Sequence, residues 1–128
     1  MATIPDILVI EDDPIMREAL GDWLQAAGYG VRTAADGSAG LAAVELALPA
    51  LVITDIHMPG ISGAAIISEL KQSHPEVPVI AISGLFTSGR GVDAETAIAL
   101  GAARALSKPF KRAELLRALA ELLGHPDP

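Results

Sequence analysis

Six side chains in this sequence are of types that could do chemistry together: the acids Glu11, Asp12 and Asp13, the lone acid Asp55, the hydroxyl of Ser83 and the ammonium of Lys108. Asp55 closes the apolar run "LVIT" (51–54) and precedes "IHMPG". A carboxylate placed where a buried run leaves the core is costly unless something pairs with it. Either a cation meets it there, or it is a turn former ahead of Pro59 and Gly60. The acids at 11–13 follow a second apolar run, "ILVI" (7–10). Converging carboxylates repel one another and hold protons unless a positive charge joins them. With no His or Cys in the set, oxygen ligands favour a hard cation, and so few carboxylates, with room for water, suit Mg²⁺ better than a Ca²⁺ cage. A carboxylate nucleophile, a divalent cation, an ammonium and a hydroxyl are what transfer of a phosphoryl group onto an aspartate requires, because that chemistry is mainly in-line positioning and charge neutralisation.

For these residues to meet, the segments carrying them must converge. Apolar β-branched runs alternate with stretches of helical period along the whole chain, the pattern of βα units around a parallel sheet. Strands are expected at 7–10, 31–34, 51–54, 78–83 and 104–107. Three of them are continuous apolar runs, as when helices cover both faces of the sheet. The first helix carries Met16, Leu20, Trp23, Leu24 and Ala27 at spacings of three and four, with Asp13 as N-cap, Pro14 in the first turn and Gly28 at the stop. Further helices are expected at 36–48, capped by Ser38; at 62–75, ended by Pro75; at 93–102, closed by Gly101; and at 111–124, with a stripe of Leu115, Leu116, Leu119, Leu122 and Leu123. Five strands and five helices predict a doubly wound α/β fold, (βα)5, around a parallel sheet, for which we take the five-stranded order 2-1-3-4-5. In such sheets the ligand crevice lies outside the C-terminal strand ends, at the switch point between strands 1 and 3. The chemistry-bearing residues fall at such ends: Glu11, Asp12 and Asp13 after strand 1, Asp55 after strand 3, Ser83 on strand 4 and Lys108 after strand 5.

The 128 residues suffice for one domain with a real core. We read one domain over 1–123 and a tail or linker stub, "GHPDP", at 124–128. Hydrophobic residues are 51% and aromatic ones 3%, so the core is aliphatic. A net charge of −7 with nine Lys and Arg in all argues against a nucleic-acid surface on this domain, since phosphate backbones need a basic stripe. The absence of cysteine removes disulfides and thiolate metal sites. The start "MATIPDILVIEDDP" has no basic n-region, and no apolar run approaches a bilayer-spanning length, so a cytoplasmic protein without membrane association is expected.

Each residue also has a plainer reading. Asp55 before Pro and Gly is a common turn residue, Glu11 and Asp12 could serve a helix N-terminus, Lys108 could be a solvated lysine and Ser83 a cap. Their joint placement at adjacent strand ends favours the chemical reading. "GRGVDA" (89–94) fits a dinucleotide fingerprint formally but does not directly follow a strand, and the next strand ends in Lys108 where an acid should bind ribose. Trp23 reads as core, and His74 and His125 are given no site role.

The stretches "ILVIEDDP", "LVITDIHMPGISG", "VIAISG" and "KPF", taken together and in this order, resemble the receiver domains of two-component response regulators, the CheY-like branch of the flavodoxin-like folds. The resemblance covers the whole chain. It implies that Asp55 accepts a phosphoryl group from a histidine kinase or phosphotransfer protein, and that Asp12 ligates Mg²⁺ directly with Glu11 acting alongside through water. It further implies that the backbone carbonyl of His57 completes the metal shell, that Ser83 follows the phosphoryl group and that Lys108 pairs with it. The Lys108–Pro109 peptide is then expected to be cis. The implied protein is a signalling switch and not an enzyme. Its loop after strand 4 and its helix 4/strand 5/helix 5 surface would control a partner or output domain, with phosphorylation-linked homodimerisation as one outcome.

Three features depart from the family pattern. Ala105 stands where the family often has an aromatic residue that tracks phosphorylation. The link "GLFTSGRGV" after Ser83 is long and rich in Gly, with Phe86 the residue to watch. His57 and Leu85, two residues after Asp55 and Ser83, occupy positions that tune hydrolysis of the phosphoryl group; a bulky imidazole and an apolar Leu there predict a long-lived phospho-aspartate. The alternative to a switch is an atypical receiver acting as a phosphorylation-independent interaction module. An Asp-nucleophile phosphatase would want a carboxylate where His57 stands, and a flavin carrier a hydroxyl-rich loop where the acids after strand 1 stand.

Overall fold

The computed structural model describes residues 4–58, 60–84 and 94–124. Along the chain run β1 (Asp6–Ile10), α1 (Pro14–Ala26), β2 (Gly30–Ala34), α2 (Gly37–Leu46), β3 (Leu51–Asp55), α3 (Gly63–Ser73), β4 (Val79–Ser83), α4 (Ala94–Leu100), β5 (Arg104–Ser107) and α5 (Arg112–Leu123). The strands form one parallel sheet, as the alternation of patterns predicts, in the expected order β2-β1-β3-β4-β5.

Strand side chains alternate between two apolar layers. Ile7, Val9, Ile53, Ile80 and Ile82 meet Leu20 and Leu24 of α1 and Leu115, Ala118 and Leu119 of α5. Leu8, Ile10, Val52, Val79 and Ala81 meet Val44 of α2, Ile66, Ile67 and Leu70 of α3 and Ala97 of α4. Because both faces are covered, the central strands are buried throughout. Fully burying one of these Leu or Ile side chains contributes about 1.5–3 kcal/mol. No described helix is long and apolar enough to cross a membrane.

Helix ends follow their capping chemistry. The Asp13 carboxylate accepts the Ile15 N–H at 3.0 Å, and α1 stops before Gly28, whose φ of 100° is the left-handed conformation glycine adopts without strain. Ser62 caps α3 by accepting from Ala65 N at 3.2 Å. The expected Ser38 cap of α2 is corrected: Asp36 holds the extended cap conformation and its carboxylate accepts the Ala39 N–H at 2.8 Å, while Ser38 already lies inside the helix. Helix α3 stops at Ser73, with His74 as its C-cap, ahead of the expected Pro75. The α5 stripe is also narrower than expected. Leu115, Ala118 and Leu119 are buried, whereas Leu116, Leu122 and Leu123 pack at its margin.

Strand register sets up the crevice. Ile10 pairs with Thr54, so the residues that follow them, Glu11 and Asp55, leave the sheet side by side. Asp55 pairs with Ile82, and Ser83 pairs with Ser107, immediately before Lys108. Parallel strands bring all these ends to the same edge. Among the expected features, Leu85, Phe86, Pro59, most of "GRGVDA", His125 and the end of the tail lie outside the described residues.

Candidate functional site

Four polar residues are buried at this edge: Glu11, Thr54, Asp55 and Ser83, with Asp55 at 6% exposure and the others at 0%. Burial of a carboxylate without compensation is unfavourable, and Lys108 supplies the compensation. Its Nζ donates to Glu11 Oε1 at 2.9 Å and to Asp55 Oδ2 at 2.8 Å. The second Glu11 oxygen accepts the Asp13 N–H at 3.2 Å, and Asp55 Oδ1 accepts the His57 N–H at 3.0 Å. Both buried carboxylates are therefore held at both oxygens.

The titration behaviour follows. Burial pushes the Glu11 carboxyl above the usual carboxylate range, aided by the nearby Asp55 charge, although the Lys108 and Asp13 bonds pull it the other way. For Lys108, burial favours the neutral amine, but the hydrogen bonds and charges of Asp55 and Glu11 more than offset it and raise the ammonium above its usual range.

Asp12 differs from its neighbours. It is exposed, and with Glu11 and Asp55 it offers one carboxylate oxygen each to a cluster in which all three lie within 4.8 Å of one another. Lys108 alone cannot neutralise three acids, and an all-oxygen donor set with one solvent-facing member fits a hard divalent cation. The site thus has the donor chemistry for such an ion. A groove of about 630 Å³ between the α1–β2 turn and α5, lined by Tyr29, Leu116 and Arg117 among others, has no such cluster, so charge and not volume locates the chemistry.

Ser83 is buried on β4, and its carbonyl accepts the Lys108 N–H at 2.9 Å, tying the two strand ends together. The Lys108–Pro109 peptide is cis. His57 is half-buried, and its Nε2 is enclosed without a hydrogen-bond partner among the described residues. Ala105 is half-buried on β5 at the edge of a 370 Å³ groove lined by Ala94, Glu95, Ile98 and Arg104. It lies two strand residues from the crevice row, since its partner is Ala81, whereas Ser83 pairs with Ser107.

Two residues that sequence reasoning passed over shape the site. Gly63, the first residue of α3, donates its N–H to the Ile56 carbonyl at 3.0 Å, and a Cβ there would overlap the Asp55 carbonyl oxygen and the Ile56 Cα. The helix can seat directly behind Asp55 only because residue 63 has no side chain. Arg17 of α1 reaches back to the acidic loop, Nη1 donating to the Glu11 carbonyl at 2.9 Å. Gly63 had a signal as the last residue of "LVITDIHMPGISG", whereas nothing in the sequence around Arg17 singled it out.

Comparison with known proteins agrees with this geometry. The profile of the response regulator receiver domain matches residues 7–120. The nitrogen assimilation regulatory protein NtrX of Azorhizobium caulinodans is 35% identical over 113 residues, 87% of this chain and 24% of that protein. The transcriptional regulatory protein FixJ of Bradyrhizobium diazoefficiens is 31% identical over 128 residues, 100% of this chain and 61% of that protein. This chain therefore spans less than two thirds of these relatives. Among solved structures, the receiver domain of NtrX from Brucella abortus superposes with a TM-score of 0.85 at 38% identity, covering 92% of this chain and 98% of that one. The chemotaxis protein CheY4 of Vibrio cholerae gives 0.84 at 28% identity, covering 94% and 100%.

Proposed function

The chain belongs to the response regulator receiver domain family, a phosphoacceptor class, and on that premise we propose that Asp55 is the phosphoacceptor of a Mg²⁺-dependent switch. The observation that carries this reading is the arrangement of Asp55 itself. It is buried at the C-terminal end of a central strand, with one oxygen on the His57 N–H, the other on Lys108, and Glu11 and Asp12 within metal-sharing distance.

In the proposed step an Asp55 oxygen attacks the phosphorus of a phosphohistidine on a histidine kinase or phosphotransfer protein. The P–O bond forms as the P–N bond breaks, and the imidazole leaves with a proton. Glu11, Asp12, Asp55 and the His57 carbonyl would hold Mg²⁺, with Asp12 ligating directly and Glu11 through water. When bound, the ion neutralises charge on the transferred group. Lys108, now shared between Glu11 and Asp55, would pass to the phosphoryl oxygens, and the Ser83 hydroxyl would follow it. The domain comprises 1–123, with 124–128 as a tail or linker. It works in the cytoplasm as a signalling module and not as a turnover enzyme, binds no nucleic acid itself, and acts through the loop after β4 and the α4/β5/α5 surface on an output domain, a partner or a second copy. The bulk of His57 and Leu85 would shield the acyl phosphate from water; rapid loss of the phosphoryl group from purified protein, unchanged by His57 substitution, sinks that part.

Ala105 favours a second reading, an interaction module that works without phosphorylation, because the small side chain leaves a groove and no ring to move. Intact mass after incubation with a small acyl phosphate separates the two. A gain of one phosphoryl group that requires Mg²⁺ and is lost in Asp55→Asn supports the switch. No gain in folded protein supports the module.

A further inference from the structure

We infer that Arg17 is a positioning residue for the metal-binding acids, holding the β1–α1 loop so that Asp12 faces the ion; the inference rests on the Mg²⁺ reading of the site. The reasoning starts from how each acid is held. Glu11 is fixed by Lys108 and the Asp13 N–H, and Asp55 by Lys108 and the His57 N–H. Among the described residues the Asp12 side chain makes no hydrogen bond or ion pair, so only its backbone fixes where its carboxylate points.

That backbone is clamped from α1. Arg17 Nη1 donates to the Glu11 carbonyl at 2.9 Å and lies 3.5 Å from the Asp12 carbonyl. Its guanidinium pairs with no carboxylate among the described residues. It is an arginine committed to two peptide carbonyls of the acid run, with its own N–H bonded to the Asp13 carbonyl at 2.9 Å in the first turn of the helix. A charged donor on a carbonyl is stronger than a neutral one, and groups that orient metal ligands without touching the metal control affinity. Arg17 is thereby neither a ligand nor a partner of the phosphoryl group.

Charge alone predicts the opposite sign, and this makes the test sharp. Removing a cation near three acids should tighten Mg²⁺ binding, whereas removing a clamp should weaken it. The experiment measures Mg²⁺ affinity by titration calorimetry and melting temperature in EDTA for wild type, Arg17→Met and Arg17→Lys. It then measures the Mg²⁺ dependence of phosphorylation by an acyl phosphate. The expected result is roughly tenfold weaker Mg²⁺ binding for Arg17→Met, a matching rise in the Mg²⁺ needed for half-maximal phosphorylation, recovery at saturating Mg²⁺, and partial rescue by Arg17→Lys.

Unchanged or tighter binding overturns the inference. Should Arg17→Met also melt lower, a core variant such as Val44→Ala, in the apolar layer on the opposite face of the sheet, supplies the comparison at equal stability; equal loss of Mg²⁺ affinity in both overturns it as well. Wild type that binds Mg²⁺ without being phosphorylated defeats the phosphoacceptor reading and leaves the clamp standing. Wild type that is phosphorylated but indistinguishable from Arg17→Met defeats the clamp alone, and wild type that does neither defeats both.

Discussion

Replacing Lys108 with methionine keeps most of the aliphatic stem and removes the ammonium that serves two buried carboxylates. The side chains of Glu11 and Asp55 are 0% and 8% exposed and that of Lys108 is 23% exposed, at separations of 2.9 and 2.8 Å. A hydrogen bond to a charged group contributes about 1.5–3 kcal/mol, and stranding a buried charge by deleting its partner costs about 3–5 kcal/mol. Partial exposure of the ammonium, and the ability of Glu11 to take up a proton, place the expected loss near the lower end, about 3 kcal/mol. At roughly 3–5 °C per kcal/mol for a domain of this size, the melting temperature in EDTA at pH 7 falls by about 10–15 °C. The pH dependence has a definite sign. Without Lys108 the Glu11 carboxyl rises further above its unfolded value, so its contribution is fully present below that value and is lost as pH rises through the folded one. The gap between variant and wild type therefore narrows as pH is lowered from 7 toward 5. A divalent cation that takes over the neutralising role restores about 1.4 kcal/mol at tenfold excess over its Kd. A variant that melts within about 2 °C of wild type at pH 7, with no narrowing at lower pH, refutes the view that Lys108 is the internal counterion of this site.

Three further outcomes are expected. Gly63→Ala forces a methyl into the Asp55 carbonyl and the Ile56 backbone; overpacking of this kind costs about 1–3 kcal/mol, read as a lower urea midpoint, together with slower phosphorylation than a core variant of equal stability. Asp36→Ala removes the bond to Ala39 N and costs about 1 kcal/mol, whereas Ser38→Ala changes thermal stability by less than about 0.5 kcal/mol; the reverse order restores the cap to Ser38. In EDTA, wild type loses stability relative to Glu11→Gln as pH rises from 4.5 through the raised Glu11 value, because the ionised form is the one that burial disfavours; a difference that is flat with pH removes Glu11 as the titrating group.

How far the chain could be read in advance depended on whether a signal was local. The strands at 7–10 and 51–54 were visible in short apolar runs, and the Asp13 cap with Pro14 in the first turn marked the start of α1. The Ser38 cap was misplaced because Asp36, Gly37 and Ser38 are all good cap formers, and the choice among them depends on where the chain leaves β2. The narrower α5 stripe has a similar origin. Periodicity marks Leu116 and Leu122 as apolar, but how deeply each is buried depends on the tilt of α5 against the sheet.

The amino-acid sequence by itself determined the alternation of strand and helix and the presence of acids, hydroxyl and lysine at strand ends, since these follow from period, turn chemistry and residue type. Tertiary structure alone decided the pairings. That Lys108 spans Glu11 and Asp55 across 97 and 53 positions of chain, that Asp12 stays exposed while Glu11 is buried, and that Gly63 and Arg17 brace the loops behind them are consequences of strand register and helix seating. Such distances of a few ångströms are set where separate elements pack, and no local pattern in the chain encodes them.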